Sequence, residues 1–280
     1  MKRKKIKKLI NYTLLSVSFL ILCFLIFLLL KKPSNSLDWS PDQAVLGYYE
    51  RNGSIISAYN IRNITYTTTK NYSIHYYNET YDLNKLDSVY LMIEPFNGEW
   101  AGIGHALLTY GFDDGRYLSV SIEARREKGV PYSPYKGLLR NYELMYVLSD
   151  ENDVIKLRSN YRNDSVYLYP VNLTKEESQK ALISMLDKAN SLKQNPEFYN
   201  TFTSGCLSEA LTHVNKASPG KVPFSLSLLA PGIADKYLYM IGFFKTSKNF
   251  EKTKQECRIN DAAMKFSDPS EFSKMIRCSP

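Results

Sequence analysis

The chain has 280 residues, 44% apolar and 13% aromatic, enough for one sizeable packed domain with appendages, which excludes disorder and low complexity. Its formal charge of +8 is accounted for by Lys2, Arg3, Lys4, Lys5, Lys7, Lys8, Lys31 and Lys32, so residues 33–280 are neutral overall and offer no basic groove for nucleic acid. The 22 tyrosines favour half-buried pleated surface, and a mixed α+β domain is expected.

Residues 1–8 form a basic segment. Residues 9–30 are apolar apart from Asn11, Thr13 and small hydroxyls, a run long enough to cross a hydrocarbon core of about 30 Å as a helix. The heavier cationic flank precedes the run, so the positive-inside rule keeps the N-terminus in the cytoplasm and exports residues 33–280, making the run a single-pass signal anchor. No small-x-small cleavage site comes after it. Leu22 before Cys23 is too bulky for a lipidation site, and Cys23 reads as membrane filler.

Residues 31–45, with Pro33, Trp39 and Pro41, read as a polar linker, residues 46–245 as the main domain and residues 246–280 as a polar tail. β-branched and aromatic runs predict strands at 55–66, 88–96, 104–112, 116–124, 142–148, 154–157 and 166–169, in a mostly antiparallel sheet. Thr174 and Glu177 make a capping box for a helix carrying Leu182, Met185, Leu186, Ala189 and Leu192 and ending at Asn195–Pro196. A second helix starts near Thr203 or Ser204, buries Leu207, Ala210, Leu211 and Val214, and holds Cys206 in its first turn. In an oxidising compartment Cys257 and Cys278 are expected to close a loop that stabilises the fold by about 3 kcal/mol. Cys206 is then an unpaired thiol in an exported protein, which asks for an explanation.

A helix N-terminus lowers a thiol pKa, so this placement suits a nucleophile as well as a small buried hydrophobe. A base must come from His75, His105 or His213. His213 lies two helical turns from Cys206, and His75 sits in a polar loop. His105 heads the strand HALLTYGF, followed by Asp113–Gly115 and the strand RYLSVSIEA. A three-residue hairpin loop sets Ala106 opposite Ile122, Leu108 opposite Val120 and Tyr110 opposite Leu118, one apolar face that fixes register. The other face pairs Leu107 with Ser121, Thr109 with Ser119 and His105 with Glu123, a carboxylate placed to orient an imidazole. A strand-end ion pair that only aids solubility is the plainer reading of the same residues. No second histidine or cysteine cluster supports a metal site. Gly-x-Ser-x-Gly is absent, and no cofactor is called for.

The segments GIGHALLTYGFDDGRYLSVSIEARRE, YELMYVLSDENDVIKLRSNYRNDSVYLYP and NPEFYNTFTSGCLSEAL resemble the Lnb N-terminal periplasmic domain family, over roughly residues 39–244. The resemblance implies a circularly permuted papain-like, NlpC-like α+β fold in which the histidine strand and its orienting residue precede the cysteine helix. It implies His105 as general base, Glu123 as its orienter and Cys206 as acyl-accepting nucleophile. It further implies a bacterial inner-membrane protein with a periplasmic domain, and acyl transfer from a phospholipid to a lipoprotein amine. The chain departs from the family pattern in carrying Gly205 where asparagine often precedes the cysteine, and in having an N-terminal anchor and no apolar C-terminal spans. The expected function is a membrane-anchored thiol acyltransferase or acyl hydrolase acting on lipids or lipoproteins. A cell-wall peptide amidase and a non-catalytic envelope binding module are the alternatives, and nothing in the sequence specifies an oligomeric state.

Overall fold

The computed structural model describes residues 2–96, 102–266 and 268–278. The strands are β1 (Tyr48–Asn52), β2 (Ile55–Arg62), β3 (Thr65–Tyr66), β4 (Tyr72–Ser73), β5 (Tyr76–Asp82), β6 (Leu86–Pro95), β7 (Gly104–Phe112), β8 (Tyr117–Arg125), β9 (Glu143–Ser149) and β10 (Tyr167–Pro170). The helices are α1 (Lys2–Leu30), α2 (Pro134–Leu138), α3 (Glu151–Lys156), α4 (Lys175–Gln194), α5 (Cys206–Ala217), α6 (Asp235–Met240), α7 (Phe250–Glu256), α8 (Asn260–Lys265) and α9 (Pro269–Met275). Among the described residues one large sheet runs β1-β2-β9-β8-β7-β6-β10, with β5 also on β2 and β3-β4 apart. It is antiparallel except for a single parallel contact between β2 and β9.

The β7–β8 hairpin has the register that its apolar pattern predicts: Leu108 faces Val120 and Tyr110 faces Leu118 around the Asp113–Gly115 loop. That face meets α4 and α5 in the main core, where Leu182, Met185 and Leu186 pack with Leu207, Ala210 and Leu211. The α4 capping box forms between Thr174 and Glu177 as its residues require.

The opposite face of the hairpin, which carries His105, Thr109, Ser119, Ser121 and Glu123 beside Leu107, is largely buried as well. Met92, Leu107 and Leu168 pack there against Val154, Ile155, Ile259, Ala263, Phe272 and Ile276. Thr109, Ser119 and Ser121 are therefore fully covered; Thr109 and Ser121 find partners inside the protein, whereas Ser119 Oγ has none among the described residues. Thr109 donates to Glu151, which also accepts from Arg277.

Three expectations change. Residues 154–157 are not a strand. Asp150 caps the segment by accepting from the Asn152 amide at 2.8 Å, Glu151 and Asp153 occupy the first turn, and α3 forms despite its β-branched residues. The stretch after residue 246 is no loose tail, because α7, α8 and α9 fold back onto the sheet and the Cys257–Cys278 disulfide closes them. The linker is ordered too: Trp39 is buried under the Arg125 guanidinium at 4.1 Å, and Gln43 is buried beside Glu123.

The Lys5–Leu30 stretch of α1 is long and apolar enough to cross a membrane and is not covered by the domain. Its 26 residues span about 39 Å at 1.5 Å per residue, against a core of about 30 Å.

Candidate active site

At one end of the sheet the hairpin opens into a fork. The β7–β8 ladder extends to Leu107 opposite Ser121 and no further. Beyond it β7 stays with β6, His105 opposite Glu94, and β8 stays with β9, Glu123 opposite Met145. The expected cross-strand pair of His105 and Glu123 is thus not formed; each strand keeps to its other neighbour. Ser121 bridges the gap, with its Oγ 2.8 Å from His105 Nε2 and 3.0 Å from Glu123 Oε1.

This relay fixes the tautomer. The Ser121 hydroxyl has one proton and gives it to the Glu123 carboxylate, so it must accept from His105. The neutral imidazole then carries its proton on Nε2 and keeps a lone pair on Nδ1. Glu123 also accepts from Gln43 Nε2 at 3.2 Å and has Arg158 Nη2 at 3.6 Å. Arg158 in turn donates to Glu94 at 2.6 Å, while Arg62 pairs with Asp153 at 2.7 Å. Burial opposes ionisation of Glu123, but Arg62 and Arg158 outweigh it and hold the carboxylate far below its ordinary range. Glu94 goes the other way: burial raises it to about 7 against the pull of Arg158 and Arg162. For His105, loss of solvent and the Arg158 charge together push the imidazole down to about 3, despite Glu123.

Cys206 stands at the first position of α5, free of any disulfide, 6% exposed. The helix starts later than expected, after a turn over residues 201–204, and Gly205 is its N-cap. A Cβ on Gly205 would lie 2.8 Å from the Thr201 carbonyl oxygen, so this turn has no room for a side chain before the cysteine. Past the end of the β7–β8 ladder the backbones of Ala106 and Leu207 lie close enough to the Cys206 thiol to favour its ionised form. These donors lower the thiol pKa, yet burial is stronger and pushes it up to about 11. Burial thus opposes the activation expected from the helix end, an effect of about 0.3–1 kcal/mol, less than a factor of ten in acidity.

Cys206 and His105 therefore meet around a strand end. The Cys206 helix packs on the face that carries Ala106, whereas His105 leaves the other face with Ser121 and Glu123. No hydrogen bond joins the imidazole to the sulfur among the described residues, so the expected direct contact is replaced by adjacency through Ala106.

The thiol lines a groove of about 570 Å³ whose walls include Ile103, Tyr132, Leu138, Phe202, Leu228 and Pro231. Gly104 makes one wall possible: a Cβ there would meet the Glu94 oxygen at 2.6 Å and Gly232 at 2.9 Å, so only glycine lets the 230–232 turn cross the strands. The lining is mainly apolar, with the hydroxyls of Tyr132 and Tyr199 near the thiol.

The other histidines serve elsewhere. His213 is 0% exposed and held by Tyr146 at 2.7 Å and Ser184 at 2.8 Å, and burial pushes it down to about 3. His75 lies between β4 and β5. No group of metal ligands is present among the described residues. Reading the sequence alone missed Ser121 as the bridge, together with Gln43, Glu94 and Arg158. The signal for Ser121 was its place on the His105 face of the hairpin; that for Glu94 was a carboxylate inside the apolar run LMIEP.

The model of the Lnb N-terminal periplasmic domain family matches residues 72–232, more than half of the chain. The chain belongs to this family. The matched region contains His105, Ser121, Glu123, Arg158 and Cys206, that is, the fork, the relay and the thiol. No match is found among curated proteins or solved structures. A periplasmic domain of the Lnb family behind one apolar N-terminal helix fits a single-pass membrane protein with an extracytoplasmic domain.

Proposed function

We propose that this Lnb-family domain is a membrane-anchored thiol acyltransferase or acyl hydrolase, with Cys206 as nucleophile, His105 as general base and Glu123 as its orienter through Ser121. The observation that carries the reading is a thiol set in an apolar groove directly beside the residue next to an oriented imidazole. In this mechanism the Cys206 sulfur attacks an acyl carbonyl while the thiol proton passes around the end of β7 to His105 Nδ1, through one water or after the two side chains close up on the bound substrate. The backbone N–H groups of Ala106 and Leu207, which favour charge at the thiol, are on hand for the oxyanion. Collapse of the tetrahedral adduct breaks the bond to the leaving oxygen, which takes the proton from His105 and leaves a thioester on Cys206. Water or an amine then attacks that thioester with the same proton traffic in reverse. The neutral starting pair means that proton transfer accompanies attack.

The chain order His105, Glu123, Cys206 fits a circularly permuted papain-like domain, and the apolar groove favours an acyl chain over a cell-wall peptide. The raised thiol pKa favours a second reading, a non-catalytic groove that binds an envelope partner. Intact-mass measurement of the full chain in phospholipid vesicles separates them. An acyl mass on Cys206, absent in Cys206→Ser and strongly reduced in His105→Ala, is expected, whereas an unmodified Cys206 under all lipid and peptide conditions favours the binding module.

A further inference from the structure

The anchor is not joined to the domain by a free tether. Lys31, the residue after α1, donates through Nζ to the Leu139 carbonyl at 3.2 Å and to Asn141 Oδ1 at 2.5 Å. Arg140 returns a bond from Nη1 to the Leu28 carbonyl at 3.1 Å, still inside the helix. Ser34 and Asn35 continue the seam, reaching Glu143 at 3.3 Å and the Leu192 carbonyl at 2.9 Å. The domain is thus clasped to the last turn of the span.

The clasped segment adjoins the groove. Residues 139–141 come directly after α2, and Pro134, Tyr135 and Leu138 of α2 line the groove that holds Cys206. Tyr135 lies only about 6 Å along the helix from Leu139. Across the opening, the turn bearing Phe202 is tied to α2 by the Thr201 hydroxyl, which donates to the Pro134 carbonyl at 2.7 Å. A Cβ on Gly137 would meet that hydroxyl at 2.4 Å, so the two walls are in tight contact.

Depth is set by where the apolar run stops. Leu30 is its last residue and Lys31 and Lys32 follow, so the final turn meets the headgroup level, and whatever is bonded to that turn lies there as well. Next to the clasped 139–141 segment the groove mouth carries Tyr135 at 74% exposure and, on the wall tied to α2, Phe202 at 53%, and Lys31, Lys32, Lys136 and Arg140 belong to the clasp or to segments adjoining it. Exposed aromatics next to cations are the composition of a membrane interface.

From these contacts we propose that the groove mouth is a membrane-contacting face, with Tyr135, Tyr132 and Phe202 seated in the outer interface of the bilayer that α1 crosses. The occupant of this apolar rim is the lipid bilayer, and the contact does not require Cys206 to react. Success or failure here is therefore separate from the thiol chemistry proposed above.

The test uses the full chain in phosphatidylethanolamine–phosphatidylglycerol vesicles, in a Cys23→Ser, Cys206→Ser background that leaves the disulfide intact. Nitroxide labels are placed singly at Tyr135→Cys, Tyr132→Cys and Phe202→Cys, and at Asp113→Cys in the far hairpin loop, about 30 Å along β7 from Gly104. Power saturation against oxygen and a water-soluble nickel chelate reads depth. Labels at 135, 132 and 202 should favour oxygen over nickel by several-fold relative to 113. Using three separately exposed positions guards against one variant that misfolds. If folded variants place all three labels in water with the same ratio as position 113, the bilayer is not the occupant and the proposal is overturned.

Discussion

The protonation state of Cys206 is the most direct point at which the site can be tested without knowing its substrate. With the thiol pushed up to about 11 by burial, the thiolate fraction at pH 8 is about one in a thousand, whereas an unperturbed thiol with pKa about 8.5 is about one-quarter ionised. Alkylation of Cys206 should therefore run about 200-fold slower than that of an N-acetylated cysteine amide at pH 8, before any loss of access is counted. The rate should climb about tenfold per pH unit from 7 to 10. The assay is iodoacetamide labelling of the full chain as Cys23→Ser, which makes Cys206 the sole free thiol, with quenching and intact-mass detection at each pH. Since the imidazole is neutral down to about 3, His105→Ala should leave the slope unchanged in that range. A rate that is already flat between pH 6 and 8 would mean a preformed thiolate paired with imidazolium, and would refute the argument that burial outweighs the helix end.

Three further outcomes rest on the same contacts. Ser121→Ala removes the hydroxyl that joins His105 to Glu123 at 2.8 and 3.0 Å; it should lower stability by about 1–3 kcal/mol and slow formation of acyl-Cys206 at least about tenfold, read by denaturant melts and by mass. Cys257→Ala with Cys278→Ala opens a link of sequence separation 21 and should cost about 3 kcal/mol in urea unfolding; a loss under about 1 kcal/mol would show that the packing of Phe272 and Ile276 suffices. His213 has a folded-state pKa of about 3, below its unfolded value of about 6.5, so its contribution is present at neutral pH and is lost as acid protonates the unfolded chain. Between pH 7 and pH 5 it should remove about 2 kcal/mol of stability, and the difference between the native chain and His213→Gln isolates that amount.

What local chemistry dictates could be read from the chain. The cationic ends and apolar run of α1, the capping box at Thr174, the register of the β7–β8 hairpin and the pairing of Cys257 with Cys278 each depend on short patterns or on the small number of cysteines, and all appear in the structure. Cys206 near a helix start and His105 at a strand end were legible for the same reason. What those residues experience depended on groups far away in sequence. The strands part at Leu107 and Ser121 because β6 and β9 hold them from outside, so the expected His105–Glu123 contact gives way to a relay through Ser121. Burial under α3 and the C-terminal helices turned a polar strand face into an internal charge network of Glu94, Glu123 and Arg158 and left the imidazole neutral, while packing of α5 in the main core on the other face left the thiol neutral. Propensity and spacing act over a few residues, whereas desolvation and Coulomb interaction are set by whatever the whole chain brings within several ångströms.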